Sequence, residues 1–299
     1  MSQSSDMDKV DAMVDVLDLD ATEARTTEDI FTGRSLPMPT GRIFGGQVLA
    51  QSVVAASRTV EEGRVVHSMH GYFLRPGDAN RGLTLSVDRI HDGRSFSTRR
   101  AQAYQGGQPI FSMIASFQDA GPGLDHQETM PAGIPAPETL PDAFEAVRNL
   151  PDAAARAEFF TQHPIETRYP YGSVHLHPAE STDAHNVVWM RIRRPLPDDP
   201  WLHRATLAFM SDMTIQDAVL RAHGVSWLSP GLRVASLDHA MWWHRDARVD
   251  DWLLYVQDSP SARGGRGLST ARMFTRDGVL VATVAQEIMI RVPDPTDFA

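Results

Sequence analysis

The 299-residue sequence contains no cysteine. Without thiols the chain can form no disulfide, use no cysteine nucleophile and bind no zinc or iron–sulfur centre through sulfur. The sequence also lacks a Gly-x-Ser-x-Gly elbow, a Walker loop, a His-Glu-x-x-His motif and a Gly-x-Gly-x-x-Gly turn. These absences argue against a serine hydrolase of the nucleophile-elbow type. A chain without cysteine also fits a reducing compartment, so we expect a cytoplasmic protein.

Lysine is almost absent, because Lys9 is the only lysine among 28 basic residues. The net charge of −10 argues against a nucleic-acid partner. The arginines suit bidentate contacts with phosphate, so an anionic ligand would need a local arginine cluster. No apolar run approaches the roughly 20 residues of a membrane span, and the amino terminus lacks the layout of a signal peptide. We therefore expect neither a membrane span nor secretion.

A composition of 42% hydrophobic and 22% charged residues is typical of a globular chain with two ordinary cores or one large one. Residues 1–27 predict a frayed or docking helix. The next stretch predicts a buried helix of about 14 residues that begins at Gly45-Gly46 and is apolar nearly all round. Strand-like runs follow at 65–74, 83–90, 95–105 and 109–118, so residues 29–118 form one α+β unit.

A proline-rich segment at 120–163 predicts a connector, with a short helix possible near 152–160. The first pattern then returns, with a helix over 203–222 and strands near 165–169, 186–194, 235–245, 252–261, 267–276 and 279–291. The segments that begin at Phe96-Ser-Thr and Leu268-Ser-Thr occupy the same place in each half. We predict two copies of one α+β fold, with limits at 1–119, 120–163 and 164–299.

Polar residues interrupt apolar faces at a few positions of the second half. Gln286 lies on the apolar face of the last strand, where an unpaired amide would cost about 1–3 kcal/mol per group. At 100° per residue, Asp212 faces inward on the predicted helix, whereas Asp217 and Arg221 mark a solvated face. Ser236 opens a strand from which its hydroxyl could relay between Asp212 and Gln286.

These positions also have purely structural interpretations. Gln286 could bond neighbouring backbone, Asp212 could cap a helix or join an ion pair, and Ser236 could bond its local backbone. Gly45-Gly46 leaves helix amides open to a carbonyl oxygen or phosphate, but a lone Gly-Gly pair is weak evidence and a tight turn explains it better. His239 and His244 fall on opposite strand faces, and two further histidines, at 175 and 177, lack a third ligand. We therefore predict no metal site and no cofactor.

Several segments resemble one known family, the type II acyl-CoA thioesterases. They span 29–291 and comprise Phe44-Gly-Gly-Gln47, His70-Gly-Tyr-Phe-Leu-Arg-Pro76, Ser211-Asp212, Ser236-Leu-Asp-His-x-Met-Trp242 and Ala285-Gln-Glu287. The resemblance implies a double hotdog, in which two helix-wrapped antiparallel sheets are fused in one chain. It also implies that Asp212, Ser236 and Gln286 activate a water that attacks the thioester. The first half has no acid that corresponds to Asp212, so we expect it to be catalytically silent.

The predicted reaction is hydrolysis of acyl-CoA to fatty acid and CoA. Two rivals remain: a hotdog hydratase that adds water to an enoyl thioester, and a non-catalytic acyl-CoA-binding protein. The predicted substrate-binding residues are Gly45, Gly46, His70, Arg263 and Arg266. Arg263 and Arg266 form the local arginine cluster for the CoA nucleotide, with a solvated hairpin turn as the alternative. Free sheet edges lead us to expect a homo-oligomer, and the carboxyl end lacks a peroxisomal Ser-Lys-Leu address.

Overall fold

The computed structural model describes residues 2–22, 27–143, 163–175, 177–179 and 182–292. Its helices are α1 (Ser2–Leu17), α2 (Gly45–Ser57), α3 (Pro200–Ser211) and α4 (Asp217–Ala222), with a 3₁₀ turn at Pro137–Thr139. The strands of the first half are β1 (Asp20–Ala21), β2 (Asp29–Gly33), β3 (Arg64–Phe73), β4 (Leu83–Asp92), β5 (Phe96–Gln105) and β6 (Gln108–Asp119). Those of the second half are β7 (Ile165–Arg168), β8 (His185–Ile192), β9 (Arg233–Ser236), β10 (Asp238–Trp243), β11 (Leu253–Arg263), β12 (Arg266–Thr275) and β13 (Leu280–Arg291).

These strands form one antiparallel sheet in the order β1-β2-β4-β5-β6-β3-β10-β13-β12-β11-β8-β7, with β9 also paired to β13. Read outward from the β3–β10 junction, the two halves repeat the same order of strands. Ser97 lies opposite Phe117 in the first half, and Ser269 lies opposite Gln286 in the second. The predicted duplication of one α+β unit is therefore confirmed.

Helices α2 and α3 pack against each other in the interior that the sheet surrounds. A Cβ atom added to Gly46 would lie 2.2 Å from the carbonyl oxygen of Phe209, so this contact admits only glycine on α2. Helix α1 docks beside them and buries Val10, Met13 and Leu17 in the same hydrophobic cluster. That cluster contains residues of both halves, so the two units share one core.

The chain from 203 to 222 is not the single helix that its apolar periodicity predicts. Helix α3 ends at Ser211, and α4 begins at Asp217. Tertiary hydrogen bonds account for the interruption, because the Tyr255 hydroxyl donates to the Ser211 carbonyl at 2.8 Å and Gln257 Nε2 donates to Thr214 Oγ1 at 2.6 Å. These buried contacts outweigh the weak preference of the segment for a continuous helix.

The prediction that Asp217 and Arg221 mark a solvated face was wrong. Asp217 is 0% exposed and Arg221 is 3% exposed. The break before α4 turns this helix inward. Trp227 Nε1 donates to Asp217 Oδ1 at 2.9 Å, and Arg221 donates to the Tyr171 carbonyl at 3.2 Å.

The described part of the connector, 120–143, lies against the outer face of the second-half sheet. Met130, Ile134 and Leu140 pack there on a small apolar cluster that includes Trp189, whose Nε1 donates to the Pro135 carbonyl at 2.9 Å. The short helix predicted near 152–160 lies outside the described residues. The domain limits at 119 and 164 stay predictions.

Candidate active site

The side chains of Asp212, Ser236 and Gln286 meet in the interior of the second half. Gln286 Nε2 donates to Asp212 Oδ1 at 2.6 Å, and Ser236 Oγ donates to the same oxygen at 3.4 Å. Asp212 and Gln286 are buried, and Ser236 is half-buried. The structure thus brings together three polar groups from segments that are far apart in the sequence.

Each group is positioned by a different element. Gln286 lies on the inward face of β13, where alternate residues from Leu280 to Ile288 are buried, as the period of two predicts. Ser236 ends β9, opposite Ile288 on the neighbouring strand. Asp212 faces inward as predicted, but for a different reason, because it follows the last residue of α3 as its C-cap.

The first half contributes the start of α2 to the same carboxylate. The Gly46 amide donates a hydrogen bond to Asp212. A Cβ atom added to Gly45 would lie 2.6 Å from Asp212 Oδ2, so the helix start approaches this oxygen as closely as glycine allows. The partial positive charge at the amino end of a helix favours a carboxylate there.

Burial is the main influence on the Asp212 carboxyl. It raises the pKa of Asp212 from 3.8 to about 6, although hydrogen bonds from Gln286, Gly46 and Ser236 act in the opposite direction. A carboxylate with a pKa near neutrality can take a proton from water and then release it, as a general base requires.

His239 is a site residue that sequence reasoning did not identify. It is 0% exposed, its Nδ1 lies 3.1 Å from Gln286 Nε2, and its Nε2 lies 2.9 Å from Ser211 Oγ. An amide nitrogen can only donate, so Nδ1 accepts and the ring hydrogen is on Nε2. Burial lowers the pKa of His239 to about 3, which keeps the ring neutral. The two acceptors, Asp212 Oδ1 and His239 Nδ1, fix the direction of the Gln286 amide.

Gln216 is the second residue that was missed. Its Nε2 donates to Ser236 Oγ at 2.9 Å and lies 3.4 Å from Gln286 Oε1. It lies in the turn that replaces part of the predicted continuous helix. The continuous helix predicted from the apolar pattern of 203–222 therefore gave no indication that Gln216 contacts Ser236 and Gln286.

The other predicted residues lie elsewhere on the molecule. His70 is exposed and contacts Asp238 Oδ2 at 3.1 Å, and its cross-strand partner Ala240 belongs to the face of β10 opposite His239. Arg263 and Arg266 flank the exposed turn between β11 and β12, where Arg266 Nε donates to Glu287 Oε1 at 2.9 Å. Their roles in substrate binding stay predictions.

Within the described ranges there is no group of three or more His, Cys, Asp or Glu side chains that could hold a metal ion. His175 is buried, with its Nε2 2.9 Å from the Tyr169 hydroxyl and 3.5 Å from Asp217 Oδ2. His175, Tyr169 and Asp217 therefore form a local polar cluster. No helix in the described part of the chain is long and apolar enough to cross a membrane.

The site has the groups needed to hold and activate a water. Asp212 can accept a proton, the Ser236 hydroxyl can both donate and accept, and Gln286 holds the carboxylate in place. Such a set can direct water at an electrophilic carbonyl carbon without a covalent intermediate.

Comparison with known proteins identifies the family. The family model described as "Acyl-CoA thioesterase" matches residues 154–289, and the one described as "Acyl-CoA thioesterase N-terminal domain" matches residues 34–118. Human acyl-coenzyme A thioesterase 8 is 38% identical over 276 residues, which cover 89% of this chain and 85% of its own.

Solved structures agree. The acyl-CoA thioesterase II TesB2 of Mycobacterium marinum is 43% identical, with a TM-score of 0.75 over 95% of this chain and 98% of its own. A conserved protein of unknown function with a hot dog fold from Alicyclobacillus acidocaldarius has a TM-score of 0.76 at 20% identity, over 95% of this chain and 99% of its own, and so bears on the fold alone. The predicted double hotdog is confirmed, and the chain belongs to the type II acyl-CoA thioesterase family.

Proposed function

We propose that this acyl-CoA thioesterase hydrolyses its substrate to fatty acid and CoA with a water activated by Asp212, Ser236 and Gln286. The observation that carries the proposal is the shared contact of Ser236 and Gln286 with one carboxylate oxygen of Asp212. A buried carboxylate whose pKa burial raises to about 6 is a suitable base near neutral pH.

In the proposed reaction the water oxygen attacks the thioester carbonyl carbon while Asp212 takes one of its protons. The carbon–sulfur bond then breaks, and the proton passes from Asp212 to the departing thiolate. Ser236 and Gln286 orient the carboxylate and the water relative to each other. Negative charge that develops on the carbonyl oxygen is stabilised by the partial positive charge at the amino end of α2, which lies beside Asp212.

The test of this proposal is Asp212→Asn. Its volume is nearly unchanged, and only the base is lost, so kcat should fall by on the order of 10²–10³ while the melting temperature stays close to wild type. Release of CoA thiol from saturated acyl-CoA measures the rate. A matched control is Asp217→Asn. Asp217 is another buried acid, at the first residue of α4, and it lies outside the proposed machinery.

Two outcomes would count against the proposal. Near-wild-type turnover by Asp212→Asn would remove this residue from the mechanism. Failure of the wild-type protein to release thiol from saturated acyl-CoA, combined with hydration of enoyl-CoA, would identify the hydratase instead.

We further propose that Arg263 and Arg266 bind the nucleotide phosphates of CoA. Both are exposed on the β11–β12 turn, and an anionic substrate of a protein with a net charge of −10 needs local positive charge. Replacing both by alanine should raise KM for acyl-CoA, with little change in kcat or in KM for a short acyl thioester that lacks the nucleotide. Arg94→Ala, at the equivalent exposed turn of the first half, is the control. Equal effects on both substrates would mean that the two arginines support the fold.

The homo-oligomer and the cytoplasmic location are also proposals. Exposed apolar side chains lie on neighbouring strands around the junction of the halves, with Tyr72 54%, Ile114 51% and Trp242 43% exposed. Such a surface is suited to association with another copy of the chain. Light scattering of the purified protein measures its assembly.

A further inference from the structure

Gln216 contacts two of the three proposed catalytic groups, although no sequence motif includes it. It is 9% exposed, and its Nε2 lies 2.9 Å from Ser236 Oγ and 3.4 Å from Gln286 Oε1. It precedes α4 and lies in the turn that also carries Asp212. Its amide is therefore part of the same buried polar cluster.

The direction of the Gln216 amide follows from its neighbours. An ionised carboxylate can only accept, so Gln286 must turn its Nε2 towards Asp212. This leaves Gln286 Oε1 facing Gln216, and because that oxygen also can only accept, Gln216 must present its own Nε2. The carbonyl oxygen of Gln216 consequently accepts no hydrogen bond from either group.

That oxygen is buried and has no hydrogen-bond partner among the residues that the structure describes. Burying an amide oxygen without a donor costs about 1–3 kcal/mol, which an apolar side chain at this position would avoid. The two polar atoms of one amide are only about 2.2 Å apart, as their bond lengths require. Gln216 Oε1 therefore lies beside the hydroxyl and amide that bind Asp212.

A water molecule that attacks a thioester needs two acceptors, one for each of its hydrogens. The Asp212 carboxylate supplies the first. A second acceptor prevents the water from rotating and holds a lone pair towards the carbonyl carbon, which contributes to the rate through orientation. Neither Ser236 nor Gln286 offers this second acceptor readily, since Ser236 Oγ accepts from Gln216 and Gln286 Oε1 faces the same amide.

We propose that Gln216 is a fourth catalytic residue, whose Oε1 accepts the hydrogen of the attacking water that Asp212 does not take. The proposal rests on the thioesterase function and on the role of Asp212 given above. Gln216 gains and loses no proton. The proton that moves goes to Asp212, and the other stays on the attacking oxygen.

Gln216→Met tests the proposal, because methionine keeps the length of the side chain and removes the acceptor. Hydrolysis of acyl-CoA should fall by about tenfold to 100-fold in kcat, with KM within about twofold of wild type. The second readout uses hydroxylamine as an alternative nucleophile, which forms an acyl hydroxamate and free CoA. Hydroxylamine depends less on a base and its acceptors than water does, so the ratio of hydroxamate to fatty acid should rise after the enzyme-free rate is subtracted.

Gln51→Met is the matched control, because it removes another buried glutamine, which donates to the Val16 and Arg34 carbonyl oxygens rather than to the proposed machinery. It should leave the ratio of hydroxamate to fatty acid unchanged. If Gln216→Met fails to fold, Gln216→Asn provides the second variant, since it keeps the amide but withdraws it by one methylene. The same rise in the ratio is expected.

Two results would overturn the proposal. One is a kcat of the folded Gln216 variant within about twofold of wild type. The other is an equal loss of hydrolysis and hydroxamate formation, which would indicate general support of the fold. Neither result alters the proposed function, which Asp212→Asn tests independently through thiol release.

Discussion

At the scale of single residues, the sequence predicts the position of a polar side chain when the periodicity of its strand or helix determines which face is buried. Gln286 is such a case, because the period of two along β13 places it among buried aliphatic residues. Asp212 was predicted to face inward from a helical period, whereas the end of α3 is what places it. The predicted inward direction of Asp212 is confirmed, but the continuous helix from which it was predicted is not present.

His239 and Gln216 illustrate what local patterns cannot provide. His239 acts on Gln286, 47 residues further along the chain, and Gln216 contacts Ser236 and Gln286 across separations of 20 and 70 residues. The direction of each hydrogen bond depends on which neighbour can only donate or only accept. That information exists only when the whole set of contacts is known.

The pH dependence of the reaction distinguishes Asp212 from His239. Burial raises the pKa of Asp212 to about 6 and lowers that of His239 to about 3. A base works when it is unprotonated, so kcat/KM should rise through about pH 6 and level off above it. His239→Asn retains an acceptor for the Gln286 amide and should preserve this limb, with a plateau lowered by less than about tenfold.

His239→Leu supplies the comparison, since it removes the acceptor and frees the Gln286 amide to rotate. Its plateau should be lower than that of His239→Asn, while the limb near pH 6 remains. A limb that disappears in both His239 variants would assign the titration to the histidine rather than to Asp212.

At the scale of elements, the start of α2 serves both the fold and the site. Gly46 faces the backbone of α3, where an added Cβ would lie 2.2 Å from the Phe209 carbonyl oxygen. Gly45 faces Asp212, where an added Cβ would lie 2.6 Å from Oδ2. The missing side chain of Gly46 therefore allows helix packing, and that of Gly45 leaves room for the Asp212 carboxylate. The Gly-Gly pair in the sequence could not distinguish these two roles.

Alanine substitutions test this division. Gly46→Ala should destabilise the protein by about 1–3 kcal/mol, because a backbone contact between helices cannot yield as a side chain can. Gly45→Ala should lower kcat, because its Cβ displaces the Asp212 carboxylate, and it should lower the free energy of unfolding less than Gly46→Ala does. Chemical denaturation and thiol release measure the two effects, with Gly123→Ala in an open part of the connector as the control. An equal effect of the Gly45 and Gly46 variants on stability would contradict the assignment.

The break between α3 and α4 is the clearest place where local preference fails. The apolar pattern of 203–222 continues without proline or glycine, and it predicts one helix. Buried hydrogen bonds from Tyr255 and Gln257 interrupt it. The interruption turns Asp217 inward and brings Gln216 to Ser236, so one tertiary effect accounts for both the wrong exposure and the missed residue.

At the scale of the whole molecule, two similar halves raise the question of a second active site. The register of the repeat places Phe117 where the second half has Gln286, since each lies opposite the serine of its Ser-Thr segment. Arg64 lies opposite Asp119, as Ser236 lies opposite Ile288 two residues after Gln286. The first half therefore has neither the amide nor the hydroxyl of the site.

The equivalent space in the first half is also filled. Arg64 is 4% exposed, and its guanidinium donates to Ser97 Oγ at 2.5 Å and to the Gly93 carbonyl at 2.9 Å. Arg99 is 1% exposed and donates to Thr59 Oγ1 at 2.8 Å. Two buried arginines occupy this region, and removing either would leave the buried polar groups that accept from it unpaired.

We therefore predict one substrate site per chain, in the second half. The inactive Asp212→Asn variant should bind about one acyl-CoA per chain in a calorimetric titration, whatever the oligomeric state, because every copy carries one complete set of site residues. Competition by CoA alone should follow the same stoichiometry, since product and substrate share the site. Two equivalent binding events per chain would contradict the prediction and would mean that the buried arginines of the first half move aside to admit a second ligand.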